Sequence, residues 1–184
     1  GSYCINGEKK LCDAGHYGNT TKLSVSTCDG PCKIGFVCAP GSTSPDDSTS
    51  TCLAGYYCPS KTTSTENKCG SAAYYCPSGV IDRVAVRKGY YSSPLLEVDE
   101  TLRQNEQPCE PGYRCDAGVR SPCSSDSSVK GIHAYYCMDG VSFAVGVGNY
   151  SSGGEPGRQS GQTQCDPGSW CDKGERKLCA KGTF

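Results

Sequence analysis

The stretch that decides the fold is 165–179, which reads CDPGSWCDKGERKLC. It recurs at 109–123 as CEPGYRCDAGVRSPC, and at 1–12, without its head, as GSYCINGEKKLC. In all three copies seven residues separate the last two cysteines, and a glycine stands three residues after the first of that pair. In both complete copies five residues separate the first pair. The unit reads as a cysteine scaffold punctuated by glycine turns.

The two ends of the chain contain the same unit. Residues 1–17 align without a gap on 168–184, at an offset of 167 residues, with nine of seventeen positions identical. Gly1-Ser2 matches Gly168-Ser169, so we read it as native sequence rather than a cloning scar. A match of this kind implies a window on a longer array with a period of about 167 residues, as in repeat proteins. On that reading the sequence before Gly1 continues with a cysteine and a Pro-Gly-like turn, and Phe184 is followed by a stretch close to Gly-Asn-Thr-Thr.

Between these ends the spacing continues. Cys28 and Cys32 bound a tight turn, CKIGFVCAPG carries Cys32 and Cys38, and CLAGYYCPS carries Cys52 and Cys58. Ser/Thr-rich stretches at 42–51 and 61–68 read as loops, with little or nothing apolar to pack. An internal duplication follows. AYYCPSGVIDRVAVRKGYYSSP at 73–94, with Cys76 shortly after Cys69, is matched by AYYCMDGVSFAVGVGNYSSGG at 134–154, with Cys137. In each, a Val-x-Val alternation (Val84 and Val86, Val145 and Val147) predicts a short half-buried strand. Six cysteines lie between Cys12 and Cys76 but none between Cys123 and Cys137, so the halves differ by one block of modules. We divide the chain into modules at 1–72, a repeat half at 73–133 and a second at 134–184. Residues 95–107 are the only stretch of helix-forming composition, and we read a loop or a single helical turn there.

Composition agrees with a cross-linked chain. Sixteen of 184 residues are cysteine, and Leu, Ile, Val and Phe together number only 25. That is too little to fill an ordinary core against roughly 1–2 kcal/mol of backbone entropy per residue. Disulfides, at about 2–4 kcal/mol each, can substitute for it. They imply an oxidising, extracellular compartment. A net charge of -1 argues against a nucleic-acid partner, and no apolar run approaches the ~20 residues of a membrane helix. Tyr3, Tyr57, Tyr75, Tyr136 and Trp170 precede cysteines. We read these rings as cover for disulfides and glycine backbone in preference to a sugar-stacking ladder.

Catalytic and metal chemistry find little footing. There is no C-x2-C pair, and His16 and His133 are far apart, which argues against zinc and against a thioredoxin-type redox site. Regularly spaced cysteines leave no single thiol for a protease. Gly146-Val147-Gly148 lacks the third glycine and the lysine of a phosphate loop. Asp46 and Asp47 lack a calcium ligand ladder. The acidic run 97–100 reads as a solvated loop that Arg83, Arg87 and Lys88 could face. We expect no enzyme activity and no cofactor. Sequons at Asn19 and Asn149 each follow a glycine in a turn region and predict N-linked glycans. The loop 42–51 could carry O-linked sugar.

CLAGYYCPS, CEPGYRCDAG and CDPGSWCDKG resemble the ephrin-receptor-like cysteine-rich repeat, a relative of growth-factor-receptor and tumour-necrosis-factor-receptor modules. GNYSSGG…GRQSGQTQC, at 148–165, is similar to long arrays of this repeat in large extracellular proteins of single-celled eukaryotes. The resemblance covers nearly the whole chain. One departure is Cys69 to Cys76, where six residues intervene without a Pro-Gly or Ala-Gly turn. Such modules serve as spacers, adhesive stalks and receptor ectodomains, and no catalytic residue carries over.

The expectation is therefore a small, disulfide-rich, mainly β and irregular fold, with tandem modules, short hairpins, little helix and an elongated form. Essentially all sixteen cysteines, Cys4, Cys165, Cys171 and Cys179 included, are expected to be oxidised. Crossed pairs are expected within the complete modules, Cys109 with Cys123 and Cys165 with Cys179. By equivalence with Cys179, Cys12 would then lack its partner. The expected role is a stalk, rod or fibre segment whose partners are adjacent repeats or copies of itself. The alternative is a receptor or adhesion ectodomain that binds protein or glycan.

Overall fold

The structure is a computed structural model that describes residues 1–47, 50–59, 67–94, 101–123 and 134–182. Its strands come in sequential pairs. They are β1 (Ser2–Ile5) with β2 (Glu8–Leu11), β3 (His16–Tyr17) with β4 (Gly30–Pro31), β5 (Tyr74–Tyr75) with β6 (Val84–Ala85), and β7 (Tyr90–Ser93) with β8 (Asn105–Pro108). The rest are β9 (Tyr113–Asp116) with β10 (Val119–Pro122), β11 (Tyr135–Met138) with β12 (Val141–Ala144), β13 (Asn149–Ser152) with β14 (Gly161–Gln164), and β15 (Ser169–Asp172) with β16 (Glu175–Leu178). The described residues contain no α-helix. The chain is thus a small, disulfide-rich, mainly β and irregular protein built of short hairpins.

Four of the hairpins share one turn. In β1–β2, β9–β10, β11–β12 and β15–β16 two residues join the strands, namely Asn6-Gly7, Ala117-Gly118, Asp139-Gly140 and Lys173-Gly174. All eight have φ between 46° and 81°. This is the type I′ turn, whose twist matches that of paired strands and which needs positive φ at both positions. It explains the glycine three residues after each of Cys4, Cys115, Cys137 and Cys171.

An isolated hairpin of this length is marginal in water, and the described residues supply no conventional interior to support it. Of the twelve buried apolar residues among those described, eleven are cysteines and the other is Tyr91. Sulfur is the core. Tyr91 packs with Cys109 and Cys115, and half-buried Tyr113 covers them. The rings that precede cysteines behave differently. Tyr136 stacks on Phe143 across β11–β12 at 5.5 Å, and Trp170, 48% exposed, pairs across β15–β16 with Lys177. Cross-strand position, rather than the neighbouring disulfide, decides where those two rings lie.

The chain forms two compact units, one of residues 1–85 with 92–105 and one of residues 86–91 with 106–184. Two local expectations are corrected. Of the Val-x-Val runs, the first is a strand only over Val84–Ala85, where Val84 is half-buried, and the second is not a strand. Val84 lies in β6, but Val86, Val145 and Val147 lead into turns, and Val147 is fully exposed at the tip of one. The strands are the aromatic-Ser-Ser stretches that follow, β7 and β13. Of 95–107, residues 95–100 lie outside the described residues, while 105–107 fall in β8, because they pair with β7 rather than coil locally.

Candidate functional site: a ladder of glycine turns and disulfides

A second turn repeats beside the first. In Asp13-Ala14-Gly15-His16, the N–H of His16 donates to the carbonyl of Asp13 at 3.1 Å, with Gly15 at φ 81°. The same bond closes the turns of Gly35, Gly55, Gly89, Gly112, Gly148 and Gly168, where φ runs from 77° to 90°. Positive φ at the third residue defines a type II turn, and Pro111 and Pro167 occupy its favoured second position. In five of these seven turns a cysteine stands three residues before the glycine, the spacing that also occurs in the I′ hairpins, so it marks a glycine turn without choosing its type.

Four of these glycines also bond to cysteines further along the chain. The N–H of Gly15 donates to Cys38 O at 2.9 Å, that of Gly35 to Cys58 O at 3.2 Å, that of Gly55 to Cys76 O at 2.8 Å and that of Gly112 to Cys137 O at 2.8 Å. In return, the N–H groups of Cys32, Cys52, Cys69 and Cys123 donate to the same four glycine carbonyls at 2.9–3.1 Å. The approach is close enough that a Cβ on Gly35 would stand 2.7 Å from Gly79 O, and one on Gly112 2.2 Å from Arg158 O. Glycine is needed here twice, for its φ and for its missing side chain.

Cross-links follow the ladder. The bonds are Cys12–Cys28, Cys32–Cys38, Cys52–Cys58, Cys69–Cys76, Cys109–Cys115, Cys123–Cys137 and Cys165–Cys171. This corrects the crossed pairing. Cys109 bonds Cys115 rather than Cys123, and Cys165 bonds Cys171 rather than Cys179, because the type II turn folds the two ends of Cys-x-x-Gly-x-x-Cys to a Cα separation of 6.0 Å. The third cysteine of the unit instead reaches forward, as Cys12 does to Cys28 and Cys123 to Cys137. Cys12 is therefore not the residue left without a partner. Cys4, exposed, and Cys179, half-buried, are free, which departs from the expectation that essentially all sixteen are oxidised.

The modules also carry a polar arrangement that the sequence reading missed. Arg120 donates to Glu110 at 2.8 Å and lies 5.2 Å from the Tyr91 ring and 4.6 Å from the Tyr113 ring. Burial, and then the hydrogen bond from its hydroxyl to Glu110 at 3.1 Å, hold the Tyr91 phenol above its ordinary pKa. The next copy repeats this, with Arg176 pairing Asp166 at 3.0 Å and lying over Tyr150 at 5.9 Å. The available signal was an acid directly after the first cysteine and an arginine two residues past the hairpin glycine, present in both complete copies. Arg83 lies over Tyr57 and Tyr74, while Arg87 pairs with Glu106 and lies over Tyr90. The acidic run they were expected to face, 97–100, lies outside the described residues.

Asn19 is exposed, and Asn149 is half-buried at the start of β13. The Asn19 sequon is held by Asp29, whose carboxylate accepts from the Thr20 hydroxyl and from the N–H groups of Thr20 and Asn19. The Thr20 hydroxyl is the first cause of a lowered Asp29 pKa. In the loop 42–51, residues 48–49 lie outside the described residues, as do 61–66 of the second Ser/Thr-rich loop and His133. The described residues contain no cluster of three or more His, Cys, Asp or Glu able to hold a metal. They also contain no helix long and apolar enough to cross a membrane. No family model, no curated protein and no solved structure matches the chain.

Proposed function

We propose that this chain is a segment of an extracellular structural repeat array that forms a stalk, rod or fibre. The observation that carries the reading is the reciprocal bonding of four turn glycines with cysteines further along the chain, from Gly15 with Cys32 and Cys38 to Gly112 with Cys123 and Cys137. A relation that makes each module complete only against its neighbour is the physical basis of repeat proteins, whose stability is a sum of unit and interface terms. The disulfide core supports the extracellular placement, since such bonds persist in oxidising compartments. The likeness to ephrin-receptor-like modules belongs to the same proposal, as do N-glycans on Asn19 and Asn149. Neighbouring repeats are the partners this reading requires.

Electron microscopy of native material tests it. Rods, stalks or filaments with a regular axial repeat are the expected image. Isolated monomers that bind a soluble protein or glycan would replace this reading with that of a receptor ectodomain.

A further inference from the structure

One arginine lacks the acid that its equivalents hold. Arg120 lies opposite Cys115 across β9–β10, and Arg176 lies opposite Cys171 across β15–β16. Arg120 pairs with Glu110 at 2.8 Å and Arg176 with Asp166 at 3.0 Å, and each acid directly follows the first cysteine of its module. Arg83 holds the same place beside β5–β6. Val84 pairs with Tyr75, so Arg83 stands opposite Cys76. Cys76 is bonded to Cys69, and the residue that directly follows Cys69 is Gly70. A Cβ on Gly70 would stand 3.6 Å from Arg83 Nη1, so this position faces the guanidinium but offers it no carboxylate. Asp82 accepts from the backbone N–H of Arg83 at 2.7 Å, and no acid among the described residues pairs with the guanidinium.

The rest of the clasp is kept. Around Arg120, the Tyr113 ring lies at 4.6 Å and the Tyr91 ring at 5.2 Å, and the Tyr91 hydroxyl donates to Glu110 at 3.1 Å. Around Arg83, the Tyr74 ring lies at 4.6 Å and the Tyr57 ring at 5.8 Å. Tyr74 stands two residues before Cys76, as Tyr113 stands before Cys115. Tyr57 stands two residues after the turn glycine Gly55, as Tyr91 stands after Gly89. Both rings are half-buried and Arg83 is exposed, so a charge held over two rings meets solvent. Tyr57, Gly70, Tyr74 and Arg83 all belong to one compact unit, with hairpins before and after them in the chain.

We infer that Arg83, Tyr57 and Tyr74 form a carboxylate-binding site for an acidic peptide segment of a partner protein. A Glu or Asp side chain of the partner takes the place beside Arg83 that Glu110 takes beside Arg120. Its carboxylate accepts from the Arg83 guanidinium, whose planar fork matches that group. It also accepts from the Tyr57 hydroxyl, as Glu110 accepts from Tyr91. The Tyr74 ring holds the guanidinium in position through its face. The ligand class comes from the molecule itself. In both other copies the equivalent arginine already holds a side-chain carboxylate, at 2.8 and 3.0 Å. The site goes beyond the repeat-array reading and stands or falls separately from it.

The test is a nuclear magnetic resonance titration of the whole isotope-labelled chain, disulfides intact. The probe is the capped peptide acetyl-Gly-Glu-Gly-amide, and its Gln counterpart is the control. The expected result is a saturable shift of the Arg83 Nε–H signal and of the Tyr57 and Tyr74 ring signals with the Glu peptide alone. Added salt should weaken it, and Arg120, already paired, should not respond. Arg83→Gln should weaken binding at least about tenfold, the loss of one charge-assisted hydrogen bond. Tyr57→Phe, which removes only a hydroxyl, should weaken it with the backbone spectrum unchanged. No saturable shift, equal shifts with both peptides, or binding that survives both substitutions overturns the inference. A response to a glucuronate oligosaccharide and none to the Glu peptide overturns the peptide assignment. In the triple variant Glu97→Gln, Asp99→Asn, Glu100→Gln, an Arg83 signal displaced before any peptide is added would mean that this chain's own acidic run holds Arg83, which also overturns it. Rods in the microscope without peptide binding would sink this site and leave the array standing.

Discussion

Substituting alanine at two glycines of the same turn type separates the energy of module contact from the energy of the turn. Gly112 and Gly168 both stand third in a Pro-Gly type II turn, at φ 85° and 81°. Either substitution incurs the left-handed conformation, about 1–2 kcal/mol for a residue with a Cβ. At Gly168 nothing lies within 4 Å of the new carbon, so that is the whole expected loss. At Gly112 the carbon would stand 2.2 Å from the backbone oxygen of Arg158, which cannot swing aside as a side chain would. The turn must retreat, stretching the bond from Gly112 N–H to Cys137 O at 2.8 Å and that from Cys123 N–H to Gly112 O at 3.1 Å. Each contributes about 1 kcal/mol net. Gly112→Ala should therefore cost about 3–4 kcal/mol and Gly168→Ala about 1–2 kcal/mol. Thermal unfolding followed by circular dichroism, with disulfides intact, should show it. At about 2–4 °C per kcal/mol for a chain of this size, the two midpoints should differ by roughly 4–8 °C. Equal losses at the two glycines would refute the claim that the ladder carries energy between modules.

The other predictions concern individual residues. Ala117 and Lys173 hold φ of 46° and 48° in I′ turns that favour asparagine, so Ala117→Asn or Lys173→Asn should raise stability by about 1 kcal/mol, read as an upward shift in melting midpoint. Peptide mapping without reduction should join Cys109 to Cys115 and Cys165 to Cys171; recovery of Cys109 joined to Cys123 would contradict the turn argument. Asp29 has a carboxyl pKa held below 3.8 by Thr20 and Asn19. Its contribution is complete above that ordinary value and is lost as pH falls through the lowered one. Hydrogen exchange at Thr20 should accordingly quicken in that acidic window, and in Asp29→Asn at neutral pH as well. Release by an amidase in heavy-oxygen water, which hydrolyses the glycosylated side-chain amide to a labelled aspartate, should mark Asn19 and Asn149 in native material, and unmodified asparagine at both would remove the glycan proposal.

Much of the fold is legible in short strings. Cys-x-x-Gly marks a turn with a positive-φ glycine, but the same spacing gives a type II turn at Gly112 and a type I′ turn at Gly118, so the string places the turn and the strand pairing around it selects the type. Asn6-Gly7 and Asp139-Gly140 carry the residues that a I′ turn favours, whereas Ala117 and Lys173 are held in the same conformation by their paired strands, against local preference. The Val-x-Val runs show the opposite failure. Alternation is a sign of a half-buried face, but with a core made of sulfur there was no face for Val147 to bury, and it stands in solvent at a turn.

The sequence by itself determined the module, its turns and its dependence on disulfides, since each is a local constraint or a shortage visible in composition. Which cysteine bonds which was decided only in three dimensions. Cys109, Cys115 and Cys123 look interchangeable along the chain, but a disulfide forms only where two Cβ atoms converge. The turn at Gly112 brings Cys115 back to Cys109, and the hairpin at Gly118 sends Cys123 onward to Cys137. The same geometry decided that Arg120 should lie between Glu110 and two tyrosines.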